Sequence, residues 1–281
     1  MAQAHTCTPF MSKRIAFIGG GNMASAIISG LIKQGLPAEL IDVVEPFAEA
    51  RDKLQASFGI SARPEAGAFL LDAALVVWAV KPQTFKEAAL AVALHVSGRL
   101  HLSVAAGIRS NSISAWLGSE RIVRAMPNTP ALIGQGITGL FARSSVTAND
   151  KAFVEQVIAT TGDSLWLEAE EQLDVVTALS GSGPAYVFYF MEAMTTAGTE
   201  MGLSREQALQ LAIATFSGAS ALAKASDESP QILRQRVTSK GGTTFAAISS
   251  MEDNDVRALF IDAMYAARER AKELGDEFGA A

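Results

Sequence analysis

The sequence has little cysteine and histidine, and each scarcity argues against a class of site. Its 281 residues include one cysteine, Cys7, and three histidines. A single cysteine cannot close an internal disulfide, and the histidines, at positions 5, 95 and 101, are too widely spaced to suggest a metal cluster. The sequence therefore predicts no metal site, and a reducing cytoplasm is the simplest compartment for it.

Positive charge and long apolar runs are also scarce. Lys and Arg number 23 against 29 Asp and Glu, which gives a net charge of −6, and the cations are dispersed. This balance argues against nucleic acid as a partner, because phosphate binding needs clustered positive charge. The longest apolar stretches, such as 74–80, are far short of the ~20 residues of a membrane-spanning helix. We therefore expect neither a nucleic-acid nor a membrane partner.

What the chain does contain is apolar side chains, which make up 49% of the residues, with a mean hydropathy of +0.23. These values indicate a folded chain, and its length suggests about two domains at roughly 150 residues each. The first ten residues show no periodicity and precede a second methionine, Met11. We expect them to be a leader, or Met11 to be the true start, outside the fold.

The first half of the chain alternates short apolar runs with amphipathic helical stretches. Strands are expected at 14–18, 40–44, 74–80, 100–105, 121–125, 136–141 and 164–167, mostly with helices between them. Such alternation predicts parallel βαβ units with helices on both faces of the sheet. From about residue 170 onward the β-runs disappear and helical spacing takes over, with a last helix expected at 256–274 and stopped by Gly275. The predicted fold is an α/β Rossmann-type domain over 12–168 followed by an all-α domain over 169–281.

A glycine-rich fingerprint, G-x-G-x-x-A, follows the first strand and opens the first helix. It comprises Gly19, Gly20, Gly21, Asn22, Met23 and Ala24. Gly19 suits a tight turn, Gly21 lets the backbone approach a pyrophosphate, and Ala24 is small enough for close helix–strand packing. The helix N-terminus adds unpaired N–H groups. The pattern favours dinucleotide binding, although a plain βα turn would also explain the glycines.

Glu45, at the end of the second predicted strand, is the candidate for coenzyme choice. An acid there can accept hydrogen bonds from the adenosine ribose hydroxyls and repels a 2′-phosphate. Arg51, nearby on the next helix, could compensate, and Glu45 could instead be a helix-start charge before Pro46. The residues favour NADH mildly over NADPH and leave dual use open.

Two further strand ends are expected to lie beside the coenzyme. Val80, Lys81 and Pro82 follow the third strand, at the carboxyl edge of the sheet where nicotinamide and ribose would lie. Ala105 and Ala106 belong to a small-residue segment at the end of the fourth strand, which suits the approach of a flat ring. Lys81 is equally explained as a solvated lysine before a proline turn.

Two motifs in the helical half combine glycine with hydroxyl residues. The segment 180–184, SGSGP, interrupts two apolar helices and implies a close backbone approach, either to a ligand or to another helix. The segment 237–244, VTSKGGTT, leads into a helix near Thr243. Free N–H groups and hydroxyls at a helix start suit a carboxylate, so this segment is the candidate anion site.

Taken together, GGGNMA, AVKPQ, SVAAGI, MPNTP, ALSGSGPAY and VTSKGGTTFAAISSME resemble the pyrroline-5-carboxylate reductase family. The similarity runs from about Met11 to the last helix. The resemblance implies an NAD(P)-binding domain, a helical dimerisation domain that interlocks with a partner subunit, and reduction of Δ1-pyrroline-5-carboxylate to L-proline in the last step of proline biosynthesis.

The resemblance also implies a substrate site. It would be formed by Glu170, Ser239, Gly241, Gly242, Thr243 and Thr244, with Thr244 hydrogen-bonded to the ring nitrogen as the catalytic residue and Glu170 near the bound product. The chain departs from common family patterns at Lys240, where many members have proline, and at Ala66, where many have asparagine. Glu45 stands where NADP-using relatives often carry a small hydroxyl residue.

Two other functions compete with this hypothesis. A β-hydroxyacid dehydrogenase has the same two-part layout but needs a lysine on the first long helix after the Rossmann domain, and no lysine lies between Lys151 and Lys224. A non-catalytic dinucleotide sensor could share the fold, although the candidate anion site counts against it.

Apolar side chains in the helical half bear on assembly. Residues 187–191 and the last predicted helix are rich in apolar side chains, and a homodimer interface and an ordinary core stripe explain them equally well. The resemblance implies an obligate dimer and allows a ring of dimers.

Overall fold

The computed structural model describes residues 12–279. The expected leader, with Cys7 and the alternative start at Met11, lies outside the described residues. Within them, the chain divides into two compact units, one comprising residues up to Gly181 together with the segment from Ala267 onward, the other Ser182–Ala266.

The first unit contains a seven-stranded sheet in the order β2-β1-β3-β4-β5-β6-β7. Its strands are β1 (Ile15–Ile18), β2 (Ile41–Val44), β3 (Leu75–Trp78), β4 (Leu100–Ser103), β5 (Ile122–Met126), β6 (Gly136–Ala142) and β7 (Gly162–Trp166). The helices of this unit are α1 (Asn22–Lys33), α2 (Ala48–Phe58), α3 (Pro82–Val92), α4 (Ser110–Leu117), α5 (Ala148–Ile158) and α6 (Gln172–Val176). The predicted Rossmann-type architecture is confirmed.

The expectation of parallel units is wrong at one place, because β6 runs antiparallel to β5. A parallel connection needs a dozen or more residues, and usually a helix, to return to the same end of the sheet. Between β5 and β6 the chain has only a short loop and the 3₁₀ turn Thr129–Ile133. It therefore turns back beside β5, and β7 then pairs in parallel with β6 after α5.

The sheet is buried on both faces by two apolar clusters. Alternate residues of β1 enter different clusters, with Phe17 on the face that contains Ile27 of α1 and Ile18 on the face that contains Phe85 of α3. All four residues of β1 are buried, as are those of β3 and β4. The strands therefore appear in the sequence as continuous apolar runs, as expected for parallel strands covered by helices.

The second unit is helical. Its elements are α7 (Gly183–Glu200), α8 (Arg205–Ala225), α9 (Pro230–Arg236), α10 (Thr243–Asp253) and the first part of α11 (Val256–Gly279). A capping box opens α8, since Ser204 and Gln207 exchange hydrogen bonds at its start. The ring of Phe260 meets those of Tyr186 and Phe190 edge-on, at 5.8 and 5.5 Å between centroids.

The predicted end of the last helix at Gly275 is wrong, because α11 continues to Gly279. A Cβ atom at Gly275 would lie 2.9 Å from Nε of Arg109, in the loop between β4 and α4. Gly275 therefore permits a close approach inside the helix and does not terminate it.

The packing of the first unit also extends beyond the boundary predicted at 168/169. The segment after β7 continues as α6 and a π-helical turn, Thr177–Gly181, and stays with the sheet. A Cβ atom at Gly139 on β6 would lie 2.9 Å from a methyl group of Val176, which shows how closely α6 packs there. Packing thus divides the chain at 181/182, and the functional boundary at 168/169 stays a prediction.

Candidate active site

The carboxyl ends of four neighbouring strands are aligned at one edge of the sheet. Ile18 of β1 pairs with Val44 of β2 and with Trp78 of β3, and Trp78 pairs with Ser103 of β4. The residues that follow these strands therefore leave the sheet side by side. The strand order reverses between β1 and β3, and such a switch point is where ligands bind in open α/β sheets.

Gly19 forms the turn at the centre of this edge. Its φ of +93° lies in the region that favours glycine. Its N–H donates to the carbonyl of Val44 at 2.8 Å, and an added Cβ would lie 2.7 Å from the carbonyl oxygen of Ala79. No larger residue fits this position without displacing backbone.

Gly21 and the start of α1 match the requirements of a pyrophosphate. Gly21 is the N-cap of α1 and provides no side chain to the helix, and the first turn carries no acidic residue. A Cβ at Gly21 would have no atom within 4 Å, so the space over the backbone is open. The N–H groups at the start of α1 have no intrahelical partners. The buried Ala24 packs against the sheet as predicted.

Glu45 lies at the same edge, and its carboxylate is already hydrogen-bonded. Oε2 accepts from the N–H of Gly20 at 2.8 Å, and Oε1 accepts from the N–H of Phe47 at 3.0 Å. Glu45 is 6% exposed. It precedes α2, which starts at Ala48 with Phe47 as its N-cap, so the interpretation of Glu45 as a helix-start charge stays open. A contact with ribose stays a prediction.

The other predicted coenzyme residues occupy the ends of β3 and β4. Val80 lies against Gly19, since a Cβ added at Gly19 would be 3.0 Å from the Cγ1 atom of Val80. Lys81 is the exposed N-cap of α3 and Pro82 is in its first turn. Ala105 is buried, and Ala106 follows it half-buried. The structure thus gathers the predicted coenzyme residues at one edge of the sheet.

The second unit contains the candidate anion site. Gly241 has a φ of +75°, and the N–H of Gly242 donates to the carbonyl of Ser239 at 3.0 Å, which closes a turn before α10. A Cβ at Gly242 would lie 2.6 Å from the hydroxyl of Ser239. No side chain caps α10, and its first turn, which contains Thr243 and Thr244, has no acidic residue. This helix start suits a carboxylate.

Glu170 lies in a network of buried and half-buried charges in the first unit. Its carboxylate accepts from Arg124 at 2.7 Å and from both the N–H and the hydroxyl of Ser110 at 2.6 Å. Burial alone would raise the pKa of Glu170, but the charge of Arg124 and the bonds from Ser110 outweigh it and hold that pKa below its usual value. Nearby, Arg109 pairs with Asp174 through bonds of 2.8 and 3.3 Å.

Sequence reasoning missed this network apart from Glu170. One available signal was Arg124, a charge within an otherwise apolar strand, because a buried guanidinium needs a partner. An open cleft of about 370 Å³ borders the network and is lined by Ser110, Asn111, Arg143 and Glu168, among others. It does not include the glycine turn. The expected position of Glu170 beside the product stays a prediction.

One glycine of the segment 180–184, Gly181, has a structural explanation. A Cβ at Gly181 would lie 2.6 Å from the Cε atom of Met126, so the glycine makes room for this methionine at the end of β5. The close approach at Gly181 is thus to a side chain at a strand end and not to another helix. A Cβ at Gly183 would have no atom within 4 Å, so the ligand alternative stays open there.

Several large apolar side chains of the second unit remain exposed in the single chain. Tyr189, Phe188 and Leu259 are 69%, 58% and 63% exposed. None of the helices between residues 12 and 279 has the length and apolar character needed to cross a membrane. In the same range, no three His, Cys, Asp or Glu side chains are grouped to hold a metal ion.

Two family models match the chain. The model described as pyrroline-5-carboxylate reductase dimerisation covers residues 170–274, and that of NADP oxidoreductase, coenzyme F420-dependent, covers 14–107. The first spans the whole second unit, where the exposed apolar side chains lie, and the second covers the glycine turn and Glu45.

Proteins named as pyrroline-5-carboxylate or pyrroline carboxylate reductases are similar to the chain over nearly their whole length. The pyrroline-5-carboxylate reductase of Pseudomonas aeruginosa is 48% identical over 269 residues, covering 95% of this chain and 98% of the relative. A pyrroline-5-carboxylate reductase structure from Coxiella burnetii is 40% identical with a TM-score of 0.87, covering 93% and 98% of the two chains. A Plasmodium falciparum pyrroline carboxylate reductase with NADP bound is 29% identical with a TM-score of 0.84, covering 94% and 99%. The chain belongs to the pyrroline-5-carboxylate reductase family.

Proposed function

We propose that this protein reduces Δ1-pyrroline-5-carboxylate to L-proline with NAD(P)H, the last step of proline biosynthesis. The observation that carries the proposal is the 48% identity to the Pseudomonas aeruginosa reductase across almost the full length of both chains. The two anion-binding helix starts support it, one at Gly21 for a dinucleotide and one at Gly242 for a substrate carboxylate. Coenzyme and substrate of this reaction each carry an anionic group.

The first unit would hold the coenzyme. Backbone N–H groups at the start of α1 bind the pyrophosphate, while Val80, Lys81, Ala105 and Ala106 flank the nicotinamide end. The bound coenzyme supplies the hydride that reduces the C=N bond. Since Gly19 fixes the turn and Gly21 leaves the backbone open, the chain contributes a preformed surface and no reactive group at this end.

The start of α10 would hold the substrate. N–H groups near Gly242, Thr243 and Thr244 bind the carboxylate, and the hydroxyls of Ser239 and Thr243 add donors. The hydroxyl of Thr244 orients or protonates the ring nitrogen. A pyrroline imine is basic enough to arrive partly protonated, so no strong general acid is required. Most of the catalysis comes from positioning the substrate against the coenzyme, an effect that can lower the activation barrier by ~7–11 kcal/mol.

Glu170 stays in the proposed substrate-binding set with a positioning role. Its carboxylate is already engaged by Ser110 and Arg124, so it acts through these residues and not as a free acid. Ser110 opens α4, which follows the loop containing Ala105 and Ala106.

The proposal includes assembly and location. The dimerisation domain over 170–274 supports a homodimer, and a ring of dimers is the larger assembly proposed. The net charge of −6 argues against nucleic acid, and we propose no membrane partner. The single cysteine supports a cytoplasmic location. We propose 168/169 as the functional boundary between the nucleotide and substrate halves.

The test mixes the purified protein with pyrroline-5-carboxylate and either NADH or NADPH. We expect the nicotinamide absorbance to fall only when both substrate and protein are present. A flat trace with both coenzymes would contradict the proposal and favour a dinucleotide sensor. Oxidation of a β-hydroxyacid in place of imine reduction would favour the dehydrogenase alternative.

A further inference from the structure

We infer that Glu45 makes this protein select NADH, the coenzyme without a 2′-phosphate, over NADPH. The inference rests on the proposed use of a nicotinamide coenzyme. It concerns the coenzyme end of the first unit and adds a specificity-determining residue to the proposed function.

The first support is the position of Glu45. It follows Val44, the last residue of β2, and Val44 pairs with Ile18 directly before the glycine turn. In dinucleotide-binding folds this is the place of the adenosine ribose. The carboxylate therefore faces the one part of the coenzyme that differs between NADH and NADPH.

The second support is that the carboxylate is fixed. Gly20 and Phe47 each donate a backbone N–H to a different oxygen of Glu45, at 2.8 and 3.0 Å. A Cβ at Gly20 would lie 3.4 Å from Oε2 of Glu45 and 2.6 Å from Leu54, so the side chain is packed against the turn. Moving the carboxylate away from a 2′-phosphate would leave two N–H groups without their partner.

The same geometry leaves capacity for a ribose. A carboxylate offers about four acceptor positions on its two oxygens. The two N–H groups occupy one position on each oxygen, which leaves one on each for the 2′- and 3′-hydroxyls. A phosphate monoester in place of the 2′-hydroxyl donates nothing and carries about −1.5 to −2 charge at neutral pH. Its negative charge would be repelled by the carboxylate of Glu45.

The third support is that the two arginines around Glu45 have other partners. Arg51 donates to the carbonyls of Glu45 and Pro46 at 3.0 and 2.7 Å. Arg63, whose carbonyl accepts from the N–H of Glu45, lies with its guanidinium 3.9 Å from the ring centroid of Phe69. These contacts hold both guanidinium groups against the protein, and a 2′-phosphate could use only the N–H groups that they leave over.

The test is a set of dissociation constants measured without substrate. NADH and NADPH are titrated by fluorescence, and ADP-ribose and its 2′-phosphate are used as competitors to isolate the adenosine end. We expect wild type to bind the forms without 2′-phosphate at least tenfold more tightly. Glu45→Ser removes the charge and shortens the side chain, and should reduce this ratio at least tenfold. Glu45→Gln keeps an acceptor for the N–H of Gly20, so its ratio should lie between those of wild type and Glu45→Ser.

Glu49→Gln is the matched control, because it removes one acidic charge from the exposed first turn of α2. Its ratio should equal that of wild type. Equal or tighter binding of NADPH by wild type would overturn the inference, as would an unchanged ratio in both Glu45 variants. In those cases reduction of pyrroline-5-carboxylate can still proceed with NADPH, and the proposed function stands. Failure of both coenzymes to bind would overturn the inference and the proposed function together.

Discussion

Arg124 and Glu170 are ion-paired at 2.7 Å, which joins the buried strand β5 to the residues directly before α6. The Arg124 side chain is only 5% exposed. Ser110 adds two donors to the same carboxylate, so three separate segments of the first unit meet at one acid. Loss of this acid would leave a guanidinium buried without its partner.

Glu170→Ala should therefore be strongly destabilising. Removing one partner of a buried pair costs more than the pair itself contributes, and we expect a loss of about 2–4 kcal/mol in the free energy of unfolding. The measurement is the urea midpoint at a fixed protein concentration. The control is Glu277→Ala, which breaks an exposed pair with Arg270 on α11 and should leave the midpoint unchanged. Equal midpoints for the two variants would contradict the role assigned to the pair.

The stability contributed by Glu170 should depend on pH with a defined sign. The folded-state pKa of Glu170 is held below its reference value of 4.5, so the unfolded chain binds the proton more readily. The contribution is fully present above pH 4.5 and is lost as the pH falls through the folded-state pKa. Urea midpoints of wild type and Glu170→Gln should differ by a constant amount at neutral pH and converge in acid. A difference that grows on acidification would contradict this assignment.

Two glycine substitutions should separate folding from coenzyme binding. Gly19→Ala places a methyl group against the carbonyl of Ala79 at a positive φ, and should lower the melting temperature. Gly21→Ala meets no protein atom within 4 Å and has a φ of −70°, so its melting temperature should match wild type. It should nevertheless weaken NADH and NADPH alike, by at least tenfold, because its methyl group enters the pyrophosphate space. If Gly21→Ala bound the coenzymes with wild-type affinity, the pyrophosphate would not occupy the space over Gly21.

Thr244 should affect turnover without affecting coenzyme binding. We expect Thr244→Ala to lower kcat/KM for pyrroline-5-carboxylate at least tenfold, because the ring nitrogen loses its hydroxyl partner. Thr244→Ser, which keeps the hydroxyl, should recover most of the loss. The dissociation constant of NADH, measured without substrate, should stay near the wild-type value in both variants. If Thr244→Ala kept wild-type turnover, the assigned role of Thr244 would be wrong.

Much of the fold could be predicted because its signals are local. Strands buried on both faces give continuous apolar runs, as in β3, and the turn at Gly19 has a glycine requirement of its own. The start of α8 was predictable from Ser204 and Gln207. The two-part fold and the grouping of the predicted coenzyme residues at the carboxyl edge followed from these signals and the resemblance.

The rest depends on loop length or on contacts between distant residues. The antiparallel direction of β6 follows from loop length and not from its own sequence, which resembles any buried strand. The continuation of α11 through Gly275 depends on Arg109, far away in the chain. The backbone partners of Glu170 and Glu45 could not be assigned from sequence, because every residue except proline carries an N–H group.

The central claim is tested most directly by identifying the product. Purified wild-type protein is incubated with pyrroline-5-carboxylate and a limiting amount of NADH, and in parallel of NADPH, and proline is measured by amino-acid analysis. The account predicts one L-proline formed for each coenzyme molecule oxidised, with little formed in the same time by Thr244→Ala. Absence of proline with both coenzymes, from protein that is folded and binds NADH, would contradict it.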